Sequence, residues 1–155
     1  KKNYFQNMDI FLFIIFFLTC CVAASTGALF PTGEWYKSLS KPIWTPPNWL
    51  FPIAWTIFYT ILAYTGSKIA LIEKNAIAMG FWSLHIALNT LWTPVFFGLK
   101  KIKIGMVIMS LLWLSTIFLI ISVFAIDIFT GWIIFPYFFW VTYAAALNFS
   151  LLMKN

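Results

Sequence analysis

Residues 10–24 read Ile-Phe-Leu-Phe-Ile-Ile-Phe-Phe-Leu-Thr-Cys-Cys-Val-Ala-Ala, a run without charge and without alternation of apolar and polar positions. Set within the stretch from about Asp9 to Phe30, it supplies the roughly 20 apolar residues that a helix needs to cross a bilayer core. A secretory signal carries a shorter apolar segment of about 7–15 residues, and Leu29-Phe30-Pro31 is a poor small-residue cleavage site. The strands of a membrane barrel alternate in hydropathy over about ten residues, and this run does not. It predicts a retained transmembrane helix.

Outward from that run the same character recurs at about Trp49–Ile69, Ala76–Leu99, Ile104–Ile126 and Trp132–Met153. Pro31, Gly33, Pro42, Pro46, Pro47 and Gly131 punctuate the breaks between them, as helix-ending residues do. The predicted fold class is therefore an all-α membrane protein, a bundle of five transmembrane helices with a Trp/Pro-rich first loop, forming one domain over residues 1–155. Composition agrees. The chain is 63% hydrophobic, 21% aromatic and 9% charged, with a mean hydropathy of +0.92, whereas soluble domains are about 45–50% apolar and about 25% charged.

The net charge of +6 does not mark a nucleic-acid surface. All ten basic residues are lysines, and they flank the apolar runs, where their long stems anchor a span at the headgroups. Lys1, Lys2, Lys68 and Lys74 fall on one side of the predicted bundle. Lys37, Lys41, Lys100, Lys101, Lys103 and Lys154 fall on the other, which predicts a cytoplasmic C-terminus by the positive-inside rule. Five spans do not divide into two equal inverted halves, which argues against the repeat-built transporters. Cys20 and Cys21 are adjacent in an apolar run and read as small buried side chains, not as a disulfide or a metal site.

Polar and aromatic residues within such spans carry the functional information. His85, Asn89 and Trp92 recur at i, i+4 and i+7 of the third predicted helix, with Phe96 one turn beyond. Trp55 and Tyr59 share a face of the second, and Trp140, Ala144 and Asn148 a face of the fifth. These faces either line an aromatic cavity for a bulky apolar ligand or serve as interhelical glue, worth about 0.6 kcal/mol per hydrogen bond. Between Gly33 and Trp49 stand three tryptophans, a tyrosine and three prolines. Proline restricts its own φ and the preceding residue, so this loop predicts a stiff aromatic flap over one end of the bundle, or an interfacial aromatic belt.

Catalytic chemistry has little to stand on. Asp9 and Asp127 fall at helix ends, so a carboxylate proton relay has no mid-span members. One histidine cannot build a multi-histidine metal site, although His85 alone remains a candidate axial ligand for haem. No nucleophile with an adjacent base is evident, and the chain is expected not to be an enzyme.

The motifs themselves are familiar. Trp35-Tyr36-x-x-Leu39-x-Lys41-Pro42-x-Trp44-x-Pro46-Pro47 followed by Trp55 resembles the signature of the translocator protein family (TspO/MBR, the peripheral benzodiazepine receptor). So do Asn89-x-x-Trp92-x-Pro94-x-Phe96-Phe97-Gly98 and Pro136-Tyr137-x-x-Trp140 with Ala144 and Leu147-Asn148. The resemblance runs in order along nearly the whole chain, and five helices is that family's architecture.

It implies a membrane receptor or transporter for tetrapyrroles such as protoporphyrin IX and haem, with the porphyrin as ligand and no required cofactor or metal. The implied site residues are Trp35, Tyr36, Trp55, Asn89, Trp92, Trp140 and Ala144. Lys37 or Lys41 would pair with propionates at the mouth. The implied membrane is a bacterial cell membrane or the mitochondrial outer membrane. A homodimer is a further expectation, through the small-residue pair Ser83 and Ala87 of the third helix.

Two departures bear on the transfer. Phe149 stands where mammalian members carry a tyrosine proposed to contact cholesterol, so specific sterol binding is not expected. Ser110 stands where an acidic residue is common in the fourth helix. The rival readings are a light-dependent porphyrin-degrading protein, with the tryptophans as electron donors, and a non-catalytic membrane adaptor or stress regulator.

Overall fold

A computed structural model describes residues 2–155, and their side chains from residue 9 onward. Its helices are α1 (Lys2–Leu29), α2 (Glu34–Ser38), α3 (Leu50–Ile69), α4 (Ala76–Thr93), α5 (Ile102–Ile126) and α6 (Ile128–Lys154), with no strand among the described residues. The long helices follow from apolar runs interrupted at their ends by Pro, Gly and Lys. A single residue, Asp127, joins α5 to α6. Its backbone is extended (φ −151°, ψ 102°), its N–H closes α5 on Val123 O, and its carboxylate accepts from the Phe129 N–H at 3.1 Å to cap α6. A carboxylate at that position satisfies a first-turn donor and suits the positive end of the helix.

Four helical segments are long and apolar enough to cross a membrane: Asp9–Leu29, Leu50–Ile69, Ile102–Ile126 and Ile128–Lys154. The fifth expected span, α4, falls short by that measure. It is 18 residues long and spends positions on His85 and Asn89, both buried inside the bundle. Its expected end at Leu99 also changes character. Pro94 offers no N–H, and the chain continues from Pro94 to Gly98 as one widened π-helical turn, with Leu99 N donating to Pro94 O at 2.9 Å. The remaining ends differ from expectation by a few residues: α5 begins at Ile102 and α6 at Ile128, because the Asp127 cap starts α6 before Gly131 can break it.

The five long helices close a ring in the order α1, α3, α6, α5, α4, with α5 and α6 the most extensively packed pair. Leu62, Ala63, Leu119, Val123, Ile134, Tyr137 and Val141 form a sealed centre. Ile10, Phe11, Leu18, Val22, Val107, Phe118, Ile121 and Phe139 face outward, an arrangement whose solvent is acyl chain and not water. Close approach is bought with glycine at Gly66. A Cβ added there would collide with the Phe16 ring of α1 and come within 2.9 Å of Trp82 of α4. Trp82 is further tied to α3 by its Nε1–H, which donates to Leu62 O at 2.9 Å.

A second, smaller cluster sits at the loop end: Tyr36, Phe96, Leu147 and Leu151. It explains why the loop between α1 and α3 is not loose. Tyr36, buried on α2, meets Phe97 edge-on at 5.3 Å. The Tyr143 hydroxyl of α6 donates to Trp44 O at 2.6 Å. Ser40 is clasped by the Asn155 amide, which accepts from Ser40 N at 2.9 Å and donates to Ser40 O at 3.1 Å. The loop is thus a fastened lid.

Candidate functional site

Beneath the lid lies a cavity of about 530 Å³, walled by the last turns of α1, the first half of α3, the end of α4 and the second half of α6. Six of the seven residues expected at the site line it: Tyr36, Trp55, Asn89, Trp92, Trp140 and Ala144. The seventh, Trp35, does not. Adjacent residues on a helix point about 100° apart, so α2 can aim only one of Trp35 and Tyr36 at the cavity. Tyr36 takes that place, and Trp35 packs edge-on against Phe96 at 5.7 Å.

The indoles stand on the wall in two groups. Trp55 and Trp140 meet edge-to-face with centroids 6.2 Å apart and an interplanar angle of 83°. Trp92 stacks on Phe96 at 5.1 Å and 18°. Edge and offset geometries of this kind are the ones ring quadrupoles favour. On the opposite side the wall is small: Ala23, Ala24, Gly27 and Ala28 of α1. Sequence reasoning passed these over, although Ala23-Ala-Ser-Thr-Gly-Ala28 is the one stretch of α1 that lacks large side chains. Phe51 and Thr56 of α3 also line the cavity without having been singled out.

Polar groups on the wall are few and mostly spent on the protein. Trp92 Nε1–H donates to Asn148 Oδ1 at 3.2 Å, and Asn148 Nδ2 donates to Ala144 O at 2.9 Å. Asn89 Nδ2 donates to the Tyr137 hydroxyl at 3.2 Å. Trp140 Nε1 is different: it is buried and has no hydrogen-bond partner among the described residues. An indole N–H left in that state costs free energy, about 1–3 kcal/mol on general grounds.

His85 is not on the wall. It is fully buried, with Nε2 2.8 Å from the Tyr137 hydroxyl and Nδ1 3.0 Å from Ser115 Oγ. Both ring nitrogens are therefore engaged, and the expectation of an axial haem ligand is corrected: no lone pair is free to meet a metal. Among the described residues no three His, Cys, Asp or Glu gather as a metal set.

The two lysines expected at the mouth are also committed elsewhere. Lys37 Nζ pairs with Glu34 at 2.7 Å within α2. Lys41 Nζ donates to Lys37 O at 3.0 Å and Leu39 O at 3.2 Å and lies 4.7 Å over the Tyr36 ring. Lys41 thus acts as the C-terminal cation of α2. Burial pushes the Tyr36 phenol above its ordinary range, and nearby Tyr143 adds to the rise, so Tyr36 presents a neutral hydroxyl.

The model of the TspO/MBR family matches residues 13–153. The chain is 43% identical to protein CrtK of Rhodobacter capsulatus over 152 residues, covering 96% of this chain and 95% of that one. It is 39% identical to the tryptophan-rich sensory protein of Cereibacter sphaeroides, covering 97% and 95%. It is 26% identical to the human translocator protein, covering 90% and 88%.

Proposed function

The chain belongs to the TspO/MBR family and is a multi-pass membrane protein, and we propose that it binds a flat tetrapyrrole, protoporphyrin IX or haem, as a translocator or sensor and not as an enzyme. The observation that carries this reading is the indole wall. A 530 Å³ cavity faced by Trp55, Trp92 and Trp140 lies within the usual range of ligand sites, about 300–1,000 Å³. Three π-faces and an apolar lining suit a planar aromatic macrocycle, which gains contact area and quadrupole complementarity at once. A haem would be held through its ring and edges, since His85 is spent within the bundle.

In this reading α4 counts as the fifth span, with His85 and Asn89 facing the bundle and Ile77, Leu84 and Leu91 the lipid. The six lysines on the lid side support a lid that faces the cytoplasm, and the bacterial relatives support a bacterial cell membrane. Ser83 and Ala87 are exposed on α4, and their small side chains allow a second copy to pack there as a homodimer.

Titration of the detergent-purified protein with protoporphyrin IX, followed by tryptophan-fluorescence quenching, tests the reading. Saturable quenching is expected, weakened about tenfold or more in Trp55→Ala or Trp140→Ala, the loss of a large aromatic contact. Affinity unchanged in both variants would overturn the assignment of the cavity. No binding in the unmodified protein would leave the adaptor reading in its place.

A further inference from the structure

The fully buried histidine behind the cavity has a job that donor-and-acceptor bookkeeping reveals. Ser115 Oγ has one proton, and it goes to Leu112 O at 2.7 Å. Thr116 Oγ1 likewise spends its proton on Leu112 O at 2.9 Å. Neither hydroxyl can then donate to His85 Nδ1, which lies 3.0 Å from the first and 3.4 Å from the second. With both hydroxyl protons so placed, Nδ1 carries the imidazole proton. A charged imidazolium, fully buried in this apolar interior, would be a costly state. The ring is neutral, Nε2 is bare, and the Tyr137 O–H donates to it at 2.8 Å.

That polarity fixes the next link. The Tyr137 proton is used, so its oxygen can only accept, and it accepts from Asn89 Nδ2 at 3.2 Å. The Asn89 amide is thereby held with its nitrogen towards the core. Its Oδ1 receives no hydrogen bond from any described residue and is not among the sealed, partnerless atoms, while the residue lines the cavity. The geometry points to His85 as a positioning residue that selects, through Tyr137, which end of the Asn89 amide faces the ligand. The cavity then prefers an aromatic ligand with an N–H or O–H donor at this point over one with an acceptor there. This inference rests on the proposed ligand-binding role of the cavity.

A matched pair of flat probes reads it directly: carbazole, with an N–H, and dibenzofuran, with an oxygen in the same place. The unmodified protein is expected to favour carbazole by about fivefold, the worth of one net hydrogen bond. In His85→Gln the side-chain amide can donate to Ser115 and accept from Tyr137, and the preference should be kept. In His85→Phe the Tyr137 proton turns to Asn89 Oδ1, the amide reverses, and the preference should move towards dibenzofuran. In Tyr137→Phe the amide loses its anchor, and the two probes should bind alike.

A merely structural role for His85 would weaken both probes together and leave their ratio unchanged in His85→Phe; that result overturns the inference. If His85→Phe does not fold, Tyr137→Phe with an unchanged ratio does the same. Failure of the unmodified protein to bind either probe or protoporphyrin IX would instead overturn the cavity's ligand-binding role.

Discussion

The wall contributed by α1 and the wall contributed by α4 and α6 are held by different physics. Both come from strongly apolar sequence. Yet only 11% of the α1 span is buried inside the protein, against 44% of the α5 span that backs the opposite wall. The hydroxyls of Thr19, Ser25 and Thr26 all return to carbonyls of α1 itself. Across the ring, His85, Tyr137, Asn89, Trp92, Asn148, Trp113 and Thr142 stitch α4, α5 and α6 together side chain to side chain. Hydropathy tells that a segment will sit in lipid. Buried donors and glycines tell what it will touch once there. The α1 wall is docked by shape, and the far wall is pinned by directional bonds.

The largest test of that contrast is steric. Gly66→Val drives a side chain into Phe16 and Trp82 and should cost about 2–3 kcal/mol, as overpacking does, seen as a fall in the thermal midpoint in detergent. Gly27→Ala has open space around the added carbon and should leave the midpoint unchanged. Equal losses in both would mean that Gly66 does not govern the docking of α1. Next, Asn148→Leu strands the Trp92 N–H and should cost about 1–2 kcal/mol, measured in the same way. No loss there would deny the pinned wall its distinction.

A smaller effect belongs to the lid. Because burial raises the folded-state phenol of Tyr36, its contribution to stability is full below the ordinary tyrosine range and is lost as pH climbs through the raised value. Tyr36→Phe should therefore flatten the alkaline side of a stability–pH curve and leave neutral pH alone. The smallest effect is expected in α1: Thr26→Val removes a bond from Thr26 to its own helix and should change the midpoint negligibly, since no other helix loses a partner.

Much of this was legible in the sequence, and the limits are physical. Four of the spans follow from run length alone. α4 is blurred because His85 and Asn89, buried inside the bundle, lower its hydropathy. The i, i+4, i+7 spacing correctly brought Asn89 and Trp92 to the cavity, but helical periodicity gives a face and not a depth, so His85 was grouped with them although it points behind the wall. Five-residue α2 was hidden in a Pro- and Trp-rich loop too short for any periodic signal, which is why Trp35 and Tyr36 could not be told apart. Tyr137 entered only within a motif. Its role depends on a partner 52 residues away, a separation that no local pattern encodes.

The clasp between Asn155 and Ser40 meets the cavity wall at the Leu151 carbonyl, which accepts from Asn155 Nδ2 at 2.9 Å, and not at an indole, and that placement has a kinetic meaning. Loosening it alters the height of the doorway and not the comfort of the room. Entry and exit of any guest would then quicken by the same factor, and the equilibrium between them would stay where the indoles set it.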